Sequence, residues 1–323
     1  MKLVSGLPSG VAAFFFEPAR RLRALENELM EELAAAGYSE AILPVIDDFA
    51  PYEPLLPPEA RAEIHRFAGR DGELLALRSD FTPLVARLLA PHLPALELPL
   101  AVSYRGEVVR ADRRDGRRPA DLHQVGGELL GAAADGARLE RAAARAFARL
   151  VERASAGRGR IVLGLAGALD ELVVAAAGAA RAPELARAVA RRERAAARGA
   201  GSALGEIVER GVPLERSALG ARGAAELARV EALAAELAAE RPGLAVAVDL
   251  AEFADYNALG GAREPRDLRP YYDGLVMRAY LPGHPSAAAG GGRYDRLFRA
   301  LGAEVAAVGF SLALEPFAAE GAR

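Results

Sequence analysis

The sequence predicts an α+β fold, an antiparallel sheet flanked by helices and interrupted by an inserted helical subdomain. Three observations lead there. Strand-like runs enter from distant parts of the chain, and a hairpin joins two of them where a βαβ succession would place a helix. Residues 166–240 form a compositional block of their own, rich in Ala, Leu, Glu and Arg and almost wholly helical in pattern. At 323 residues the chain is too long for one small domain, and a core with an insertion is the natural reading. The expected boundaries are 1–165 for the first part of the core, 166–243 for the insertion and 244–323 for the second part.

Each element has a local reason. Residues 17–36 place Leu22, Leu25, Leu29 and Leu33 at helical spacing, and Gly37 supplies a C-terminal cap. A short strand is expected from Ala41 to Val45, carrying Pro44, and an apolar strand from Glu73 to Leu77. Thr82-Pro83 suits an N-cap followed by proline at the first helical position, with the helix running to Leu89. Tyr104 to Glu128 reads as two extended segments around a loop with Asp115-Gly116 as its turn. A helix follows over 137–154, then a short strand at Ile161 to Gly164. Glycines 199, 201 and 211 break the helical block. Strand signals return at 244–250 and 274–281. Gly290-Gly291-Gly292 leads into a helix near 294–301, and an apolar segment over 306–317 closes the pattern.

Composition excludes whole classes of chemistry. The chain has no cysteine, which removes disulfides, thiolate nucleophiles and cysteine-based zinc sites. Lys2 is the only lysine, so neither a P-loop lysine nor Schiff-base chemistry is expected. His65, His92, His123 and His284 never fall at metal-ligand spacing; no metal, no cofactor and no catalytic residue is assigned. A net charge of −3 with arginines scattered throughout is not a nucleic-acid footprint. Only Arg110, Arg113, Arg114, Arg117 and Arg118 cluster, where they could meet phosphates. The run Val11 to Phe16 is too short for a secretory signal, and no apolar run reaches about 18 residues. A soluble, cytoplasmic chain is expected.

The hairpin carries the functional signal. Side chains two apart on a strand share a face, so Gln124, Gly126 and Glu128 point the same way. An amide, a bare backbone position and a carboxylate suit a pocket wall for a small polar ligand, and strand glycines mark close approach. An exposed edge hairpin with a solvated loop fits the same spacing, and both readings stay open at this level.

The motifs together resemble a known family. Tyr104 to Glu128, ending in HQVGGE, resembles motif 2 of the class II aminoacyl-tRNA synthetases in their histidyl form. LRSDFTP (Leu77 to Pro83) looks like the family's histidine-binding segment. GGGRYDRLFRALG (Gly290 to Gly302) resembles the glycine-rich segment before motif 3, and AVGFSLALEPF (Ala307 to Phe317) resembles motif 3. The helix ending at Gly37, with Pro44 beyond it, is similar to motif 1, which implies a homodimer through that helix. The resemblance implies a histidine pocket of Asp80, Thr82, Gln124, Glu128, Tyr271 and Tyr272. Asp80 would meet the α-ammonium, Gln124 the backbone end, and Glu128 and Tyr272 the imidazole. Each residue also has a plainer reading: Thr82 and Asp80 as helix caps, Tyr272 as a half-buried strand residue.

The departures from the family decide the expected function. Motif 3 calls for an arginine after Glu315, where this sequence has Pro316, which would also distort a helix. The arginine expected ahead of Tyr271-Tyr272 corresponds to Asp267, with Arg266 or Arg269 as substitutes if the loop is re-registered. A second motif 2 arginine is Ala120. Arg110 remains as a candidate for residual phosphate contact. Adenylation depends on positioned cations, so a synthetase is not implied, and tRNA is not an expected partner. The chain stops after the motif 3-like segment, so no anticodon-binding domain is expected. A synthetase-like core of this description resembles a paralogous family, the regulatory subunits of short-form ATP phosphoribosyltransferase in histidine biosynthesis. That resemblance implies a non-catalytic partner of the short catalytic subunit that activates it and senses L-histidine. The alternative is a short histidyl-tRNA synthetase paralogue that activates an amino acid and transfers it to a non-tRNA acceptor.

Overall fold

In the computed structural model, which describes residue 7 and residues 11–56, 61–110, 121–254, 272–284 and 286–320, an eight-stranded sheet organises the chain. In chain order its strands are β1 (Ser39–Glu40), β5 (Leu100–Val109), β6 (Asp121–Ala132), β7 (Arg160–Leu165), β8 (Ala245–Val248), β9 (Leu275–Tyr280), β10 (Ala289–Arg293) and β11 (Val305–Ala313). Their spatial order is β1-β5-β6-β11-β10-β9-β7-β8. The six central strands are antiparallel, as expected, whereas the outermost pairs β1–β5 and β7–β8 are parallel. The α+β class holds, with a sheet that is mixed at both edges. A smaller sheet, β2 (Ile46–Asp48), β4 (Leu74–Leu77) and β3 (Arg66–Ala68), lies beside it.

Helix α1 (Phe16–Ala35) buries Leu22, Leu29, Met30 and Leu33. It ends because Gly37 adopts φ +88°, which lets the Gly37 and Tyr38 amides reach the carbonyls of Ala34 and Leu33. The next segment corrects the sequence reading. Ala41 to Val45 is not a strand; pairing is confined to Ser39–Glu40 and resumes at Ile46. Pro44 has no amide to give a ladder, and the carbonyls of Leu43 and Pro44 are taken by the buried Arg78 guanidinium at 2.9 and 3.0 Å.

Helix α2 (Thr82–Leu89) covers one face of the sheet near β5, and α3 (Gly136–Ser155) covers the other. Leu139, Ala143, Phe147 and Leu150 of α3 are buried against Val125, Leu129, Val308 and Phe310 of the sheet. Each fully buried Leu or Phe there contributes about 1.5–3 kcal/mol. Between β7 and β8 run α4 (Asp170–Ala177), α5 (Ala182–Ala190), α6 (Arg194–Ala200), α7 (Ser202–Arg210) and α8 (Gly220–Glu240). Their buried side chains, among them Val189, Ile207, Leu227 and Leu237, continue the same apolar core.

Helix α9 (Asp295–Ala300) follows β10, and α10 (Leu314–Glu320) follows β11. The expected distortion at Pro316 does not occur. Pro316 stands in the first turn of α10, where a missing amide removes no intrahelical bond. Among the described residues no helix is long and apolar enough to cross a membrane.

Candidate ligand-binding site

The hairpin register sets the site. Gln124 pairs with Gly106 and Ala313, Gly126 with Tyr104 and Ser311, and Glu128 with Val102 and Gly309. All three alternate residues are buried, so this hairpin is no exposed edge: it lies inside the sheet with β11 on its far side. The face that α1 and α3 leave uncovered therefore carries Gln124, Gly126, Glu128, Gly309 and Ser311.

A small cavity, open to solvent, lies over this face. It is lined by Asp80 and Thr82 from the start of α2, by Tyr272, by Tyr294 after β10, and by Gly290, Gly291, Gly309, Phe310 and Ser311 of β10 and β11. Arg78 fixes the Asp80–Thr82 segment: it stacks over Phe81 at 4.1 Å, and two of its nitrogens donate to the Glu107 carbonyl at 3.0 and 2.7 Å. Phe81 in turn stacks on Tyr104, ring centroids 4.2 Å apart.

Glu128 lies at the bottom of the site, fully buried. Thr82 Oγ1 and Tyr104 Oη donate to its Oε1 at 2.6 and 3.0 Å, and Tyr294 Oη donates to Oε2. Space for the carboxylate exists because residue 309 is glycine; a Cβ there would fall 1.5 Å from Glu128 Oε2. Gly126 is needed for a similar reason, since a Cβ would meet the Phe310 carbonyl at 2.5 Å and the Tyr104 hydroxyl at 2.6 Å.

Burial pushes the Glu128 carboxyl up from 4.5 to about 7, against the three hydroxyls and with the nearby Asp80 charge. The Tyr104 hydroxyl that donates to it is raised well above the ordinary tyrosine value by burial and by Glu128, and so is the Tyr38 hydroxyl on the other face of the sheet. A carboxyl whose folded pKa exceeds its unfolded value stabilises the fold fully below the unfolded pKa, and that contribution is lost as pH rises through about 7. The shift corresponds to about 3 kcal/mol. Melting of wild type and Glu128→Gln between pH 5 and pH 8 should show the difference swinging toward the variant as pH rises. A pH-independent difference would contradict the assignment.

The other expected residues divide. Thr82 is not the N-cap: Phe81 holds that position, and the Thr82 hydroxyl is spent on Glu128. The capping role falls to Asp80, whose Oδ1 accepts the Thr82 amide at 3.2 Å. Tyr272 stands over the β10 backbone, its ring where a Cβ on Gly292 would fall. Gln124 is buried, its Oε1 without a hydrogen-bond partner among the described residues, and it is not a lining residue of the cavity. Arg110 donates to the Ser79 carbonyl at 2.8 Å and lies 4.0 Å from Asp80, at the rim. Tyr271, Asp267, Arg266, Arg269, Ala120 and the arginines of the hairpin tip lie outside the described residues. His123 points to the opposite face, where Glu315 receives its backbone amide at 2.6 Å and contacts its Nδ1 at 2.9 Å; this bond holds the imidazole pKa above 6.5.

Sequence reasoning missed Tyr104 and Tyr294 as partners of Glu128. Tyr104 was findable, because hairpin pairing puts it opposite Gly126. Tyr294 was not, because only the strand order β6-β11-β10 brings it across.

The comparisons with known proteins agree with this architecture. A family model described as Histidyl-tRNA synthetase matches residues 10–317. The ATP phosphoribosyltransferase regulatory subunit of Anaeromyxobacter dehalogenans (strain 2CP-1 / ATCC BAA-258) is 35% identical over 319 residues, covering 96% of this chain and 89% of that one. Two solved structures share the fold. One is an ATP phosphoribosyltransferase regulatory subunit/histidyl-tRNA synthetase from Bacillus halodurans C, with TM-score 0.76, 22% identity, and coverage of 97% of this chain and 82% of that one. The other belongs to the ATP phosphoribosyl transferase (HisG:HisZ) complex from Thermotoga maritima, with TM-score 0.61, 18% identity, and coverage of 93% and 98%. With motif order, sheet topology and near-full-length identity in agreement, the chain belongs to the histidyl-tRNA synthetase family, in its branch of ATP phosphoribosyltransferase regulatory subunits.

Proposed function

We propose that this chain assembles with the short-form catalytic subunit of ATP phosphoribosyltransferase, activates it, and carries L-histidine feedback through the cavity beside Glu128. The observation that carries the reading is a polar pocket kept intact while the positions for adenylating cations are changed. Asp80, Thr82 and Tyr272 line it, Glu128 supports it from beneath, and Pro316 stands where the resemblance calls for an arginine. In this reading the α-ammonium lies toward Asp80 and the imidazole toward Glu128 and Tyr272, with Gln124 and Tyr271 completing the set. The helical segment 166–243 is the inserted subdomain. A second copy pairs through α1 and the adjoining β1 edge, where Phe16 and Ile42 are exposed.

Calorimetric titration with histidine tests the ligand. Glu128→Ala strips the Thr82, Tyr104 and Tyr294 hydroxyls of their acceptor beneath the pocket and should weaken binding by about 10- to 150-fold, a loss of roughly 1.5–3 kcal/mol. Equal affinities, or no heat with wild type, would remove the histidine site. The rival reading, an amino-acid-activating paralogue, draws on Arg110 at the rim; histidine-dependent pyrophosphate exchange at a synthetase-like rate would favour it.

A further inference from the structure

The imidazole of His123 lies between two carboxylates that come from different elements. Its Nδ1 is 2.9 Å from Glu315 Oε1 in the first turn of α10, and its Nε2 is 3.5 Å from Glu107 Oε1 on β5. The His123 amide donates to the same Glu315 oxygen at 2.6 Å. Phe14 meets the ring edge-on, centroids 6.2 Å apart, and leaves it half-buried. Among the described residues two further acids belong to this neighbourhood. Asp121 shares the His123 face of β6, and Glu26 of α1 is buried close enough for its charge to act on the ring. Arg23 and Arg105 on these elements are committed, Arg23 to Glu26 and Arg105 to Glu40 and Asn27. An ionised carboxylate only accepts, and a neutral imidazole carries one N–H and one bare lone pair. A neutral ring that donates to Glu315 therefore turns its lone pair on Glu107. The imidazolium alone satisfies both sides at once.

We propose that His123 is a proton-operated clamp: protonated, it ties α10 to the β5–β6 hairpin through Glu315 and Glu107, and its deprotonation loosens that tie. The clamp holds the end of a central strand, because β11 passes from Ala313, the partner of Gln124, straight into Leu314 and Glu315 of α10. The Glu315 bond, opposed by burial and aided by the charges of Glu315, Glu107 and Glu26, holds the imidazole pKa above 6.5. A histidine raised in this way stabilises the fold fully below the unfolded value of about 6.5. That contribution is lost as pH rises through the folded pKa. The clamp therefore opens on the alkaline side of 6.5, and it works on the face opposite the cavity, whatever the cavity binds.

The test follows the imidazole proton signals of the full-length protein by NMR across neutral pH, with His65→Gln, His92→Gln, His123→Gln and His284→Gln to assign them. The His123 signal should titrate above 6.5, and its midpoint should fall in Glu315→Gln while the other three stay in place. A wild-type midpoint at or below the free value, or one unmoved in Glu315→Gln, would overturn the inference. Denaturant midpoints of wild type and His123→Gln, compared at each pH, cancel every other titrating group, Glu128 included. The advantage of wild type should be present at pH 6 and lost at pH 9; a constant difference would contradict the clamp. Hydrogen exchange reads the tie itself. Corrected for the intrinsic pH dependence, the α10 amides of wild type should lose protection over the same window, and those of His123→Gln should show no such step. Wild-type titration and exchange decide the matter should a variant fail to fold, and α10 protection that is flat across the His123 midpoint would overturn the proposal.

Discussion

Gly309→Ala is expected to abolish histidine binding and to lower stability by about 3 kcal/mol. The added methyl would fall 1.5 Å from Glu128 Oε2 and 2.5 Å from Cδ, so the carboxylate must leave its place. Overpacking a strand interior costs about 1–3 kcal/mol by itself. The displaced carboxylate also loses hydroxyl donors while remaining buried, which adds to the cost. Shortening the acid should relieve the clash: Gly309→Ala with Glu128→Asp should recover part of the stability lost. Thermal melting and histidine titration of wild type and the two variants measure both effects. A single variant that melts and binds like wild type would show that β6 and β11 do not pack as described.

Glu140→Ala is expected to cost about 3 kcal/mol, with Glu140→Gln costing less. Glu140 lies on α3 with no exposed surface. Its Oε1 accepts the Leu275 amide at 2.9 Å and lies 3.9 Å from Arg293 Nη1, and its Oε2 pairs with Arg229 of α8. Removing one member of a buried ion cluster leaves uncompensated charge and typically costs 3–5 kcal/mol. The low end applies because Arg229 keeps Glu226 and Arg293 keeps Asp295. Glutamine retains an acceptor for the Leu275 amide, so it should be milder. Denaturant midpoints with unchanged slope would report the loss; an Ala variant as stable as wild type would contradict the account of this junction between α3, α8 and β9.

Much of this architecture was legible in the sequence, and the exceptions share a cause. The amphipathic α1 announced itself by spacing, and the β5–β6 hairpin by its turn signal and by Gln124, Gly126 and Glu128 falling on one face. Ala41 to Val45 failed because a tertiary contact, Arg78 reaching the carbonyls of Leu43 and Pro44, overrode local strand propensity. Pro316 was misread as disruptive because helix boundaries are hard to place from composition alone; two residues decide between a first turn and an interior. Thr82 fitted an N-cap pattern, yet its hydroxyl is committed 46 residues away in sequence, to Glu128. The glycine run at 290–292 showed only as a lead into a helix, whereas it is strand β10 and forms part of the pocket floor. Local pattern gave the elements and set Tyr104 opposite Gly126; Tyr294 reaches Glu128 through strand order, which no local pattern contains.

The central claim is that histidine bound here changes the behaviour of a separate catalytic subunit. A ligand shifts such a complex only by its differential affinity for two arrangements, and a coupling of about 1–3 kcal/mol would alter catalytic affinity roughly 5- to 150-fold. The direct measurement mixes purified short-form ATP phosphoribosyltransferase with this chain and follows phosphoribosyl-ATP formation with and without histidine, for wild type and Glu128→Ala. The account predicts co-elution, a gain in activity on mixing, inhibition by histidine, and loss of that inhibition in Glu128→Ala. A catalytic subunit that neither co-elutes nor gains activity would contradict it, and inhibition unaltered by Glu128→Ala would place the feedback site elsewhere.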